Sequence, residues 1–297
     1  MILAGITLFD SNHLLMLFFP FLFVWGSLLF AFWRGERFAR KFLLVILWAN
    51  FALHFLRLLN PFYLSRGIKV LFYASPNNLC ALLVLAAPFL FLYGKSLAKE
   101  YLVVMSIAGG VIALLFPSVP IDVGERIQEW WTFLEVLRYC LCHCFLLVSA
   151  FLILFFRFHE INYHRLPIDG LMFLGALALI FLNKLVFWKL LNPDPWYLFF
   201  DTEFENPSYI FGIPLRLNGN PVFAFIDKYL AWPFLTYSLP NGAKAYLPIL
   251  WLIPTLYFVL LPLIFLLVYL PFDGRRLGKD LVFLFQRRKK ETQGGEK

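Results

Sequence analysis

Charge is what this chain has least of. Only 15% of its 297 residues are Asp, Glu, Lys or Arg, against about 25% in a soluble domain. That shortage removes the polar face an ordinary water-soluble fold needs. Several signatures are also missing. There is no glycine-rich phosphate loop, no paired-carboxylate pattern and no serine-hydrolase elbow. There is no heptad seam, no low-complexity tract and no internal repeat. No Lys or Arg precedes Arg34, so the first apolar run lacks the positive start of a cleavable signal peptide. It reads as a retained helix with its N-terminus outside.

What is present is apolar and aromatic. The chain is 61% hydrophobic and carries 37 Phe, too many for a water-soluble core, so lipid is the solvent for many of them. Runs at 14–33, 42–59, 78–94, 101–117, 130–156, 170–191 and 246–271 approach the length of about 20 residues that crosses a bilayer. The expected fold is all-α: a polytopic transmembrane helical bundle of seven spans. Residues 1–272 are expected to form one bundle domain and 273–297 a basic cytoplasmic tail, frayed at Gly294-Gly295.

Basic residues set the expected orientation, because cytoplasmic loops are enriched in Lys and Arg. One set of loops holds Arg34, Arg37, Arg40, Lys41, Lys95, Lys99, Arg157 and Arg165, and the tail adds Arg275, Arg276, Lys279 and Arg287 to Lys290. The opposite loops are poorer. This puts the N-terminus out and the C-terminus in, across a bacterial cytoplasmic (inner) membrane. The net charge of +8 then points to anionic lipid headgroups as partners and not to nucleic acid.

One connection is long. Residues 192–245 form an outer loop rich in proline and aromatics, and long loops are often functional. Its piece 221–239 contains Asp227, Lys228 and Pro233, which favours an interfacial or re-entrant segment over an eighth span. Pro248, Pro254 and Pro262 would kink the last run. Gly109 and Gly110 would let another helix approach closely.

Polar residues inside the runs are expensive and mark function. Asn50, His54 and Arg57 follow i, i+4, i+7 spacing on one helix face. Glu135, Arg138 and Cys142 share a face of the fifth helix; His143 is turned roughly 80° from Glu135. Asn78 and Cys80 open the third run, Asn183 and Lys184 lie in the sixth, and His13 stands at the start of the first. With the assigned directions all fall in the outer halves, while the inner halves look nearly clean. The expectation is one polar pocket opening outward, with a surplus of cations around Glu135 that invites a phosphate or carboxylate.

The stretch Cys140-Leu141-Cys142-His143-Cys144 suggests a metal site on paper. On a helix Cys142 points away from Cys140 and Cys144, so the four convergent ligands of structural zinc are not met. No metal and no cofactor is expected. Cys80 is different: if Asn78 begins the helix, Cys80 sits in its first turn, where the positive helix end favours charge on sulfur. A cysteine with a histidine can transfer an acyl group through a thioester.

Six stretches then resemble the YwaF-like family of integral membrane proteins, whose eukaryotic relatives include transmembrane protein 164, a lipid acyltransferase. They are Phe9 to Leu14, Pro76-Asn77-Asn78-Leu79-Cys80, Ala108-Gly109-Gly110 with Ala113 to Pro117, His143, Asn183 with Asn192 to Leu198, and Ala231-Trp232-Pro233-Phe234 before Leu270-Pro271-Phe272. Asn78 stands where the family usually has histidine, and the outer loop is longer. The resemblance implies Cys80 as nucleophile, His143 as base with His13 as a second candidate, and Arg138 orienting a phosphate. Asn50, His54, Arg57, Asn78, Glu135, Asn183 and Lys184 would complete a lipid-binding site. Two other classes stay open: a lipid-binding protein without chemistry, and a carrier using Glu135, Arg138 and His143 as a proton or anion path.

Overall fold

The computed structural model describes residues 11–65, 67–115, 130–191, 199–200, 202, 206–214, 221–238, 242 and 244–294. Parts of the opening motif (Phe9, Asp10), Pro117 and the segment 192–198 lie outside the described residues. The rest is a helical bundle. Its long helices are α1 (Ser11–Arg34), α2 (Glu36–Phe55), α3 (Leu79–Tyr93), α4 (Ser96–Leu115), α5 (Trp130–Phe155), α6 (Leu166–Leu191) and α7 (Leu252–Leu284). Six of them are long and apolar enough to cross a membrane on their own.

The third run departs from expectation. Helix α3 has 15 residues, about 22 Å at 1.5 Å per residue, which is short of a bilayer core of about 30 Å. It pairs with the helical stretch Gly67–Ala74, bent by 59° across the break, and the two together make a seventh candidate span. The break falls at Ser75 to Asn78, where Pro76 cannot continue the incoming helix.

The chain alternates between two ends. Gly35, at a φ of 82°, turns α1 directly into α2; that left-handed value is open to glycine and strained for other residues. We call the end where α1 begins the first end and the end holding Gly35 the second.

Helix α5 is the centre. Its span is 72% buried, against 17% for α1, and α1, α2 and α4 all pack against it. Without water to drive association, contact between such helices depends on close van der Waals packing, which small residues allow. Gly110 of α4 does this: a β-carbon there would fall 2.7 Å from Leu147 Cγ and 3.2 Å from the His143 carbonyl oxygen. At Gly109 the nearest atom would be Cys80 Sγ, at an ordinary 3.7 Å. Gly110→Ala is therefore expected to cost about 1–3 kcal/mol by overpacking. Gly109→Ala should melt close to wild type; equal melting temperatures in detergent for both variants would refute the distinction.

Helix α7 begins at Leu252, after Pro248, and does not stop at 271. Its first part contains two wide, π-helical stretches, Leu256–Leu260 and Phe265–Tyr269, which follow Pro254 and Pro262; prolines and π-turns commonly occur together where the regular hydrogen-bond ladder is interrupted. Helical backbone continues through Leu270–Gly294, so the basic tail is helical up to Gly294.

The outer loop folds against the first end. Pro221–Phe225 and Ile226–Ala231 form short helical turns, and β1 (Leu235–Ser238) pairs antiparallel with β2 (Lys244–Tyr246). Tyr246 N–H donates to the Phe211 carbonyl at 2.9 Å and Trp251 Nε1 to the Ile210 carbonyl at 3.0 Å. Residues 221–239 are not among the candidate spans.

Candidate functional site

The i, i+4, i+7 face of α2 and the facing side of α5 meet at the first end. Arg57 lies just past α2 in the turn Leu56–Leu59, yet stays on the face of Asn50 and His54. Glu135 is 2% exposed, Arg138 7% and Arg57 8%. The Arg138 guanidinium grips Glu135 with two nitrogens: Nε donates to Oε2 at 2.8 Å, and Nη2 donates to Oε1. Tyr63 Oη donates to Oε1 at 2.7 Å, and Arg57 Nε stands 3.7 Å from the same oxygen. The Arg57 guanidinium lies 5.6 Å from the Tyr63 ring centroid and donates from Nη1 to the Tyr73 carbonyl at 2.9 Å. Burial pushes the Tyr63 phenol up; Arg57 opposes this and Glu135 reinforces it, so the hydroxyl stays a donor.

This is a cluster with two fixed cations and one carboxylate. Two polar atoms in it are buried without a hydrogen-bond partner among the described residues: Arg57 Nε and Asn50 Oδ1. Asn50 uses its Nδ2 on the Cys142 carbonyl at 3.1 Å. Arg138 Nη1 contacts Cys142 Sγ at 3.7 Å. Among the described residues the cluster has one more cation than anion and an unused guanidinium donor, which suits an anionic group.

The sulfur of Cys80 lies against Gly109 of α4. Asn78 Oδ1 accepts the Ala81 N–H at 2.8 Å and so caps α3; Asn is among the best N-cap residues for this reason. That makes Cys80 the second residue of the helix. The ionisable groups bearing on it are Cys142 and Arg57. Ser208, from the outer loop, accepts the Leu79 N–H on its Oγ at 3.0 Å, so the loop touches the helix end beside Cys80. Asn183 ties α6 to the same turn, donating from Nδ2 to Ser75 Oγ at 2.8 Å.

The histidines bond to backbone carbonyls. His54 Nε2 meets the Ala74 carbonyl at 3.0 Å, His13 Nε2 the Leu114 carbonyl at 3.1 Å, and His143 Nδ1 the Tyr139 carbonyl at 2.7 Å. A carbonyl only accepts, so each of these nitrogens carries a proton. For His143 that leaves Nε2 with the lone pair. Arg57 and Arg138 both bear on His143, which puts it within their field.

Lys184 of α6 packs against the segment that follows its helix. Its Nζ donates to the Phe199 carbonyl at 2.9 Å and lies over the rings of Phe211, Phe199 and Trp188, at 4.6, 5.0 and 5.5 Å from their centroids. The ammonium is enclosed by an aromatic cage built with the long loop before α7. Desolvated contacts of this kind hold a cation by the ring quadrupole.

The clean inner halves are corrected. At the second end Glu100 (0% exposed) and Asp169 (2%) are buried. Glu100 Oε1 accepts the Asn162 N–H at 2.7 Å, Oε2 takes Arg165 Nη1 at 2.5 Å, and His159 Nε2 stands 3.5 Å from Oε2. Tyr269 Oη bridges Glu100 Oε1, at 3.1 Å, and Asp169 Oδ2. Both acids sit one residue outside the apolar runs read from the sequence, where a charge looks like an ordinary headgroup-level residue. The available signal was that their helices start earlier, at Ser96 and Leu166.

No curated protein and no solved structure matches the chain. The model of the TMEM164 family matches residues 8–270, nearly the whole bundle, so this integral membrane protein belongs to the TMEM164 family.

Proposed function

We propose that the protein transfers or hydrolyses fatty acyl groups of membrane lipids, with Cys80 as the nucleophile. The observation that supports this best is the position of Cys80: second residue of the helix that Asn78 caps, with Ser208 of the long loop bonded to the neighbouring Leu79 N–H. The cluster would hold the anionic headgroup while the ester lies toward α3. His143 Nε2 takes the Cys80 proton, and sulfur attacks the ester carbonyl. The tetrahedral oxyanion forms near the positive end of α3. The ester C–O bond then breaks, and the leaving oxygen takes the proton back from His143. The thioester passes its acyl group to an acceptor alcohol or to water. The excess of Lys and Arg in one set of loops favours the outer side of a bacterial cytoplasmic membrane for this site, with membrane lipids as partners.

A lipid-binding protein without chemistry is the second reading. It is favoured by the histidines, which act as latches onto backbone carbonyls. Mass spectrometry of protein purified with its lipids separates the two. An acyl mass is expected on the peptide carrying Cys80, sensitive to hydroxylamine and absent from Cys80→Ala. The substitution removes one sulfur over Gly109, so the melting temperature should barely move. An unmodified Cys80, together with a wild-type lipid-exchange rate in Cys80→Ala, would sink the thioester mechanism.

A further inference from the structure

The buried group at the second end poses a proton-counting problem. Three oxygens stand in a row: Asp169 Oδ2, Tyr269 Oη and Glu100 Oε1. The phenol has one proton and can donate to one neighbour at a time. If both acids were ionised, two carboxylate oxygens would compete for a single hydrogen in a low-dielectric site, and one would face the phenol oxygen with no hydrogen between them. The row needs a second proton.

The surroundings decide where it sits. Glu100 has the donors of an ionised carboxylate, the Asn162 N–H and the Arg165 guanidinium, with the His159 ring 3.5 Å away. Asp169 has none of these. Its Oδ1 is buried without a hydrogen-bond partner among the described residues, and its Oδ2 meets the Tyr269 hydroxyl. An ionised carboxylate with a dry, unbonded oxygen would bear a desolvation cost that a neutral carboxyl avoids.

We infer that Asp169 is a buried proton-binding site, its Oδ2–H donating to Tyr269 Oη and the Tyr269 hydroxyl donating to Glu100 Oε1. The charged and titratable groups around it are Glu100 and Tyr101 of α4, His159 and Arg165 of the connection before α6, and Tyr269 of α7. Asp273, one turn beyond Tyr269, is engaged elsewhere: it accepts the Tyr163 N–H at 2.9 Å and pairs with Arg276 at 3.6 Å. The proton therefore joins α6 to α7 and, through Glu100, to α4. Without it, two anions would flank one hydroxyl and the contact between α6 and α7 would open. The site lies at the opposite end of the bundle from Cys80, so it does not depend on the acyl-transfer reading.

Infrared difference spectroscopy of the full-length protein in lipid nanodiscs tests it directly. At neutral pH the wild type should show a carboxylic-acid C=O band, shifted on exchange into D2O. Asp169→Asn should lose that band, and Asp273→Asn should keep it. The asparagine amide can donate to Tyr269, so the variant should fold and melt at or above wild type at neutral pH. The sign of the linkage gives a second readout. A native state that holds a proton the unfolded chain releases loses stability as pH rises; the wild type should show that loss and Asp169→Asn should show less. A band that survives Asp169→Asn, or no such band at all, overturns the assignment.

Discussion

Glu135→Ala is expected to destabilise the bundle by about 3–5 kcal/mol, the usual cost of leaving a buried charge without its partner. The substitution removes the one acid that contacts Arg57 and Arg138 among the described residues, and both side chains are buried. It also takes the acceptor from Tyr63. The measurement is thermal unfolding in detergent, and the informative comparison is a second substitution. Glu135→Ala combined with Arg138→Met should recover part of the loss, because an apolar replacement of a whole buried pair is often neutral. Glu135→Ala melting with the wild type would mean that the two arginines find water or lipid phosphate as a counter-charge, and that Glu135 is not what holds them. The double variant melting below the single would mean that Arg138 stabilises the fold independently of Glu135.

How much of this was readable in the residues follows from helical periodicity. Asn50, His54 and Arg57 announce one face by spacing alone, and Glu135, Arg138 and Cys142 another; the structure brings these two faces together. Regular helices keep such promises even when, as at Arg57, the last turn tightens. The relations that spacing does not carry were misread or missed. Lys184 is enclosed by Phe199 and Phe211, which belong to an irregular loop and share no period with α6. The Glu100 and Asp169 pair forms across α4, α6 and α7, and its bridging group, Tyr269, looks like one more membrane aromatic. Asn78 was legible as a helix start, and its cap on Ala81 gives that residue a structural duty whether or not it also meets a ligand. The break before α3 was visible only as a proline among polar residues; its 59° bend depends on packing that no local signal states.

Glu100→Ala should be the second most damaging single change, at about 3 kcal/mol, within the range for charge-assisted hydrogen bonds and broken buried pairs. The expected cost is below that of Glu135→Ala because the Arg165 side chain is 31% exposed and can turn to water, whereas Asn162 N–H and Tyr269 lose an acceptor inside the bundle. Glu100→Gln should recover little. Its carbonyl can still take the Asn162 N–H, but its amide would point a donor at Arg165. A double-mutant cycle with Tyr269→Phe isolates the contact between the two side chains: groups in one hydrogen-bonded network typically couple by about 0.5–3 kcal/mol. Additive losses would mean that the 3.1 Å contact between Tyr269 and Glu100 contributes nothing. In that case Glu100 would act only as an anchor for Arg165 and the backbone at Asn162, and the second end would be held by two separate contacts instead of one connected chain.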